Sequence, residues 1–296
     1  MPVKRSIVYI FSIFFLVYSC KKDEEILPPV INDYSDQLIK DSKLLEYFLK
    51  SHFYNYEDFK KNSSSYVDIK IDTISGSNSN KISLFKQVNK KVVSVIDSNN
   101  ASIDHTLYYL LAKKGVRAQK PSLVDSVYLK YEGKLLNGYV FDQRSQPIWF
   151  DLSSVIQGFR HAIQEFSPGN YEANSDGTVS FEDFGQGMFF LPSGLGYFSN
   201  TQTTIPEYSP LIFKISLFTI NITDHDSDGI LSINEDIDGD GDPMNDDSDN
   251  NSIPNLYDND DDGDGILTKD EYDQNNDGIP DDSDLDSIPD YLDIEG

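Results

Sequence analysis

Residues 126–142 read SVYLKYEGKLLNGYVFD, and the fold is decided there. Val127, Leu129 and Tyr131 alternate with Tyr128 and Lys130, the period-two pattern of a strand with one buried face. Asn137-Gly138, between Leu136 and Tyr139, is a two-residue hairpin signal, because Asn and Gly both tolerate positive φ. A returning strand is expected around Ile148 to Phe150. A short helix follows, with Ser153 or Ser154 as its cap, Val155, Ile156, Phe159, Ile163 and Phe166 along one side, and Pro168-Gly169 at its end. The closing strand alternates Leu211, Phe213, Ile215 and Leu217 against Lys214 and Ser216. Residues 122–220 are thus expected to form an α+β domain, an antiparallel sheet curled over one short helix.

Working towards the N-terminus, residues 35–121 suggest an extension packed on that domain. Ser35 to Ser51 has helical spacing, with Leu38, Leu45, Phe48 and Leu49 near one face. Tyr66 to Ile71 and Thr106 to Ala112 read as strands, the first more clearly. His52 and His105 show no metal-ligand spacing. Ahead of this, Lys4 and Arg5 precede an apolar run, Ile7 to Tyr18, that is short for a membrane span. Two residues after the run comes Cys20, the single cysteine of the chain. This arrangement resembles a bacterial lipoprotein signal, implying a cleaved segment 1–19, lipidation at Cys20 and an anchor and linker over 20–34. The following Lys21-Lys22-Asp23-Glu24-Glu25 resembles a surface-export tag, so the expected location is the outer membrane, facing outward, with a periplasm-facing anchor as the alternative. With Cys20 lipidated, no disulfide forms within the chain.

Charge divides the chain sharply. Residues 224–296 hold 27 of the 50 acidic residues and one base, Lys269, so the net charge of −26 sits in that tail. The remainder is neutral and offers no basic surface, which argues against nucleic acid as a partner. Among catalytic signatures, the four histidines (His52, His105, His161, His225) lack zinc spacing. Gly185-Gln186-Gly187 reads as a turn rather than a phosphate cradle.

Four separated phrases in the central domain carry a resemblance. They are Tyr131-Glu132-Gly133-Lys134-Leu135 leading to Gly138-Tyr139-Val140-Phe141-Asp142; Val155-Ile156-Gln157-Gly158-Phe159; Leu191-Pro192-Ser193-Gly194-Leu195-Gly196-Tyr197; and Ile205-Pro206 before Leu211-Ile212-Phe213. In this order they resemble FKBP-type peptidyl-prolyl cis-trans isomerases. The resemblance implies a pocket walled by Tyr131, Phe141, Val155, Ile156, Phe159, Tyr197 and Phe213, with Asp142 near the substrate carbonyl. It also implies that the Ile156 N–H and the Tyr197 hydroxyl hold substrate carbonyls, and that catalysis needs no cofactor. Proline-containing exported polypeptides would be the substrates. Three positions depart from the family pattern. Phe159 stands where tryptophan is usual, and Ser154 where a glutamate backbone contacts substrate. The third departure is a polar insertion, Glu172 to Gly187, together with Phe198 in place of a glycine; these are expected to reshape the pocket mouth.

The tail, 221–296, is periodic. Asp224, Asp226, Asp228 and Glu235 fall at positions 1, 3, 5 and 12 of an EF-type calcium loop with Gly229 at position 6, and Asp260, Asp262, Asp264 and Glu271 repeat the frame. Looser copies use Asp236, Asp238, Asp240 and Asp247; Asp247, Asp249, Asn251 and Asp258; Asp273, Asn275, Asp277 and Asp284; and Asp282, Asp284, Asp286 and Asp293. Alternate positions matter because calcium wants six to eight oxygens and a tight turn brings such side chains to one centre. Isoleucine at position 7 (Ile230, Ile253, Ile266, Ile279, Ile288) suggests a hydrophobic stitch. Abutting loops leave no room for EF-hand helices and resemble thrombospondin type-3 repeats, implying an array of structural Ca2+ ions. Two functional classes follow: a surface-tethered prolyl isomerase with the tail as a rigid spacer, or an inactive isomerase-like scaffold serving adhesion or protein binding.

Overall fold

The computed structural model describes residues 32–61, 66–97 and 99–295. The expected signal segment and Cys20 lie outside them. The elements are α1 (Tyr34–Ser51), β1 (His52–Tyr54), α2 (Tyr56–Lys61), β2 (Ile71–Thr73), β3 (Asn89–Ile96), β4 (Ser102–Lys113), β5 (Ser126–Leu135) and β6 (Val140–Asp151). After these come α3 (Gln157–Ile163), β7 (Asn170–Ala173), β8 (Val179–Glu182), β9 (Gly185–Leu191), β10 (Leu211–Asn221) and α4 (Thr268–Glu271). Six strands form one antiparallel sheet in the order β3-β4-β9-β10-β5-β6.

Local chemistry sets the β5–β6 hairpin. Every second residue of β5, from Val127 to Leu135, is buried, as its alternation requires. Gly138 takes φ 89° and donates to the Leu135 carbonyl at 2.9 Å, and Asn137 Oδ1 accepts from Tyr139 N. One bulge shifts the register between the Gly133–Asp142 and Lys134–Val140 pairs.

The sheet is covered on both sides. On one side, Phe159, Ala162 and Ile163 of α3, with Phe166, pack on Leu129, Phe189, Phe213 and Ile215. On the other, Leu45, Phe48 and Leu49 of α1 pack with Tyr108, Leu110, Met188, Phe190 and Ile212. All seven residues of β9 are buried because that strand lies between the two layers. Each buried leucine of α1 stabilises this arrangement by about 1.5–3 kcal/mol.

Several expectations are corrected here. The face of α1 begins with buried Gln37 and Asp41, whereas Leu38 is half-buried. Residues 66–70 form no strand; Gln186 instead bonds the Val67 backbone through both its oxygen and its amide nitrogen. Neither Ser153 nor Ser154 caps α3. Asp151 caps the preceding turn at Ser153 N, and Ile156 occupies the helix N-cap with no side-chain bond. Gly185-Gln186-Gly187 begins β9 rather than a turn. A Cβ on Gly187 would meet the Leu110 carbonyl at 2.0 Å, so glycine is needed for β4 and Phe166 to close on it. The polar insertion is a hairpin, β7–β8, that packs on the outer sheet face through Phe181 against Tyr128 and Phe218.

The tail is a stack of six turns of one geometry. Positive φ recurs at position 4 (Ser227, Gly239, Asn250, Gly263, Asn276, Leu285) and at position 6 (Gly229, Gly241, Ser252, Gly265, Gly278, Ser287). In five of them the first aspartate accepts the position-6 N–H: Asp224, Asp236, Asp247, Asp273 and Asp282. The isoleucine stitch is not formed. Ile230 is buried, but Ile253, Ile266, Ile279 and Ile288 are 45–65% exposed. Burial falls instead on Leu256, which joins Leu123 and Val124 of the central domain. The tail is therefore docked on that domain rather than held away from it as a spacer.

Candidate functional site

A cavity of about 500 Å3 opens between the end of β5, β6, the start of α3 and the loop before β10. All eight residues singled out from the sequence line it: Tyr131, Phe141, Asp142, Val155, Ile156, Phe159, Tyr197 and Phe213. The floor is aromatic. Phe159, 3% exposed, meets Phe150, Phe189 and Phe213 edge-on at centroid distances of 5.9, 5.1 and 5.2 Å. Phe141 stands edge-on to Phe213 at 5.6 Å. This wall needs Gly133, since a Cβ there would lie 2.5 Å from the Phe141 ring.

The polar residues of the lining are Tyr131, Asp142, Ser154, Tyr197 and the Gln202–Thr204 segment. The Tyr131 hydroxyl donates to Asp142, whose other oxygen accepts from Gln143 N at 2.8 Å. Burial first, then this bond to a carboxylate, raises the Tyr131 pKa, so the phenol remains a donor. Burial and the Asp142 charge also raise the Tyr197 pKa. Among the described residues, neither the Ile156 N–H nor the Tyr197 hydroxyl donates to an acceptor. The cavity thus offers an apolar floor, one carboxylate at its edge, the Ile156 N–H and Tyr197 hydroxyl as available donors, and the polar Gln202–Thr204 segment beside them.

Each donor sits on a turn held from outside the central domain. Asp41 of α1, fully buried, accepts from Ser193 N at 2.7 Å and Ser193 Oγ at 2.6 Å, fixing the turn before Tyr197. Tail residue His225 approaches Asp151 at 3.1 Å, and Tyr257 donates to Ser153 Oγ at 2.6 Å, fixing the turn before Ile156. Arg160 of α3 pairs with Asp242 at 2.9 Å.

Neither departure expected to reshape the mouth lines the cavity. Phe198 adopts φ 47°, a left-handed conformation costly for a residue with a Cβ. Its ring stacks on Tyr34 at 3.8 Å and meets Tyr208 edge-on, so its packing lies with the N-terminal extension. Sequence reasoning missed Phe150 and the Gln202–Thr204 segment of the lining. The alternation around Ile148 to Phe150 held a signal for Phe150; the loop carries none.

In the tail, three expected sets bring carboxylate oxygens together: Asp224, Asp226 and Asp228; Asp260, Asp262 and Asp264; and Asp282, Asp284 and Asp286. A fourth joins Asp236 and Asp238 to the unforeseen Asp246, and a fifth joins Asp226 and Glu235 to the unforeseen Asp261. Asp240 caps Asp242 N. Asp249 and Asp258 accept from Asn251, Asn275 donates to Asp281, and Asp273 and Asp277 are engaged in backbone caps. Asp247 likewise caps its own loop, and Asp293 caps Glu295 N. Burial, then neighbouring carboxylates, push Glu235 to about 9, Asp261 to about 8, and Asp226 and Glu271 to about 7.

Residues 117–218 match the family model for FKBP-type peptidyl-prolyl cis-trans isomerases, and residues 225–279 match the model described as BamM C-terminal. The chain is similar to the peptidyl-prolyl cis-trans isomerase Mip of Coxiella burnetii, 44% identical over 66 residues, 21% of this chain and 28% of that protein. It is similar to a probable FKBP-type isomerase, FkpA, of Neisseria meningitidis serogroup B, 30% identical over 118 residues, 38% of each chain. Among solved structures it resembles FkpA from Escherichia coli, at 21% identity and a TM-score of 0.36, covering 63% of this chain and 62% of that one. The chain spans 28% and 38% of the two relatives' lengths. The similarity to FKBP-type isomerases lies within residues 117–218.

Proposed function

We propose that the central domain is a peptidyl-prolyl cis-trans isomerase acting on exported polypeptides, held at the outer membrane through Cys20. The observation that carries this reading is the aromatic cavity with two available donors, set in a segment that matches the isomerase family. Rotation about an X-Pro bond faces a barrier of roughly 18–20 kcal/mol because the twisted state loses amide resonance. The twisted state is also less dipolar than the planar amide, so an apolar, water-poor pocket favours it. A millionfold acceleration asks for about 8 kcal/mol of such preference. The proline ring would rest on Phe159 between Phe141 and Phe213. The Ile156 N–H and Tyr197 hydroxyl would hold flanking carbonyls and keep the peptide oriented during rotation. Asp142, fixed by Tyr131, would face the rotating carbonyl. No nucleophile or proton transfer is needed.

The tail, on this proposal, binds calcium and is a structural module. Its support is the set of buried carboxylate oxygens without hydrogen-bond donors, including those of Asp226, Asp228, Asp260 and Asp262, which a hard cation with oxygen ligands would satisfy. Docked on the turn before Ile156, an ordered tail would hold one wall of the pocket.

The test is a proline-peptide isomerisation assay on wild type and Phe141→Ala. The expected result is a kcat/KM lowered at least tenfold by the substitution. Equal rates in the two, both at the uncatalysed background, would favour the inactive scaffold.

A further inference from the structure

We propose that one divalent cation is shared by two loops distant in sequence, 224–235 and 260–271, and that Asp261 is the ligand closing this site. One oxygen each of Asp226, Glu235 and Asp261 lie within 4.8 Å of one another. Two oxygens bound to one calcium ion at about 2.4 Å can be up to about 4.8 Å apart, so the three fit a single ion. Asp261 stands at the second position of its loop, outside the alternating 1, 3, 5 frame of Asp260, Asp262 and Asp264.

The second observation is burial without partners. Glu235 is 1% exposed and Asp261 2%. Neither carboxylate receives a hydrogen bond on either oxygen, and Asp226 Oδ2 receives none. Among the described residues no Lys, Arg or His pairs with any of the three; His225, next to Asp226, is engaged with Asp151. Buried carboxylates left this way are strongly disfavoured unless a counter-charge joins them. A donor set made only of carboxylate oxygens suits a hard cation of flexible coordination, calcium, over zinc.

The site has a structural consequence. It ties the first loop to the fourth across Leu256, which is fully buried against the central domain. The two joined stretches border His225 and Tyr257, the residues that hold the Asp151–Ser153 turn. The shared ion would therefore be the first loop's own ion, closed by Asp261 from the fourth loop, and would clasp the tail at its point of docking.

This inference rests on the calcium reading of the tail, and the experiment separates the two. Calcium stoichiometry by equilibrium dialysis, and melting temperature in calcium and in chelator, are measured on the full chain in detergent. Asp261→Asn and Glu235→Gln are compared with the exposed control Asp270→Asn. Asp261→Asn should bind one ion fewer than wild type and show a smaller calcium-induced rise in Tm. In chelator it should melt at or above the wild-type temperature, because an amide removes a buried negative charge. Glu235→Gln should behave alike, and Asp270→Asn like wild type. Unchanged stoichiometry and Tm rise in Asp261→Asn would overturn the shared site alone. So would a Tm lowered equally with and without calcium, the mark of a merely structural residue. A wild-type chain that binds no calcium would sink both the site and the calcium reading.

Discussion

At the residue scale, Phe198 shows how packing offsets backbone strain. Its left-handed φ is disfavoured, yet its ring is buried between Tyr34 and Tyr208. Phe198→Ala keeps the strain and loses the packing, so denaturant unfolding should show a loss of about 3 kcal/mol; a loss under 1 kcal/mol would mean that the stack contributes little. His161 gives a pH signature. Burial first, then the Lys91 and Arg160 charges, lower its pKa to about 4. The unfolded chain, with a histidine pKa near 6.5, therefore binds the proton first as pH falls. Stability from neutral His161 is complete above about pH 6.5 and is lost towards pH 4, by about 2 kcal/mol after solvent screening. The difference between wild type and His161→Gln isolates this dependence. A difference that stays flat from pH 7 to 4.5 would show that His161 titrates normally. The pocket aromatics were legible in sequence because alternation puts them on one face and the family phrases fix their order. Phe198 was legible only as a departure, since the ring that supports it, Tyr34, is 164 positions away in the chain.

At the element scale, the N-terminal extension is structural cover for the sheet. β3 and β4 extend the sheet beyond β9, and α1 roofs its second face. The helix could be read from its spacing, whereas β3, with its mixed burial, carried a weaker pattern. Residues 66–70 looked more strand-like than they are, because their backbone partner is the Gln186 side chain, a contact no local pattern encodes. Leu49, fully buried in α1, supplies the test. Leu49→Ala should cost about 2–5 kcal/mol in denaturant unfolding. A cost below 0.5 kcal/mol would mean that α1 does not hold the sheet.

At the scale of the whole molecule, the two available donors of the pocket hang on turns secured by the two appended regions. Asp41 reaches the turn before Tyr197, and His225 with Tyr257 reaches the turn before Ile156. The repeat period of the tail was legible from its aspartates, but its docking was not, because the contact runs through single residues such as Leu256 and Tyr257. If calcium orders the tail, a chelator should lower the Tm of the whole chain by about 5 °C or more relative to saturating calcium. An unchanged Tm would remove calcium from the account. The most direct measurement of the central claim is the exchange rate of an X-Pro peptide, followed by NMR, with catalytic amounts of the wild-type chain. Cis-trans exchange should run well above the uncatalysed rate and be suppressed by a macrolide that fills FKBP-type pockets. Exchange at the background rate, unaltered by the macrolide, would contradict that claim.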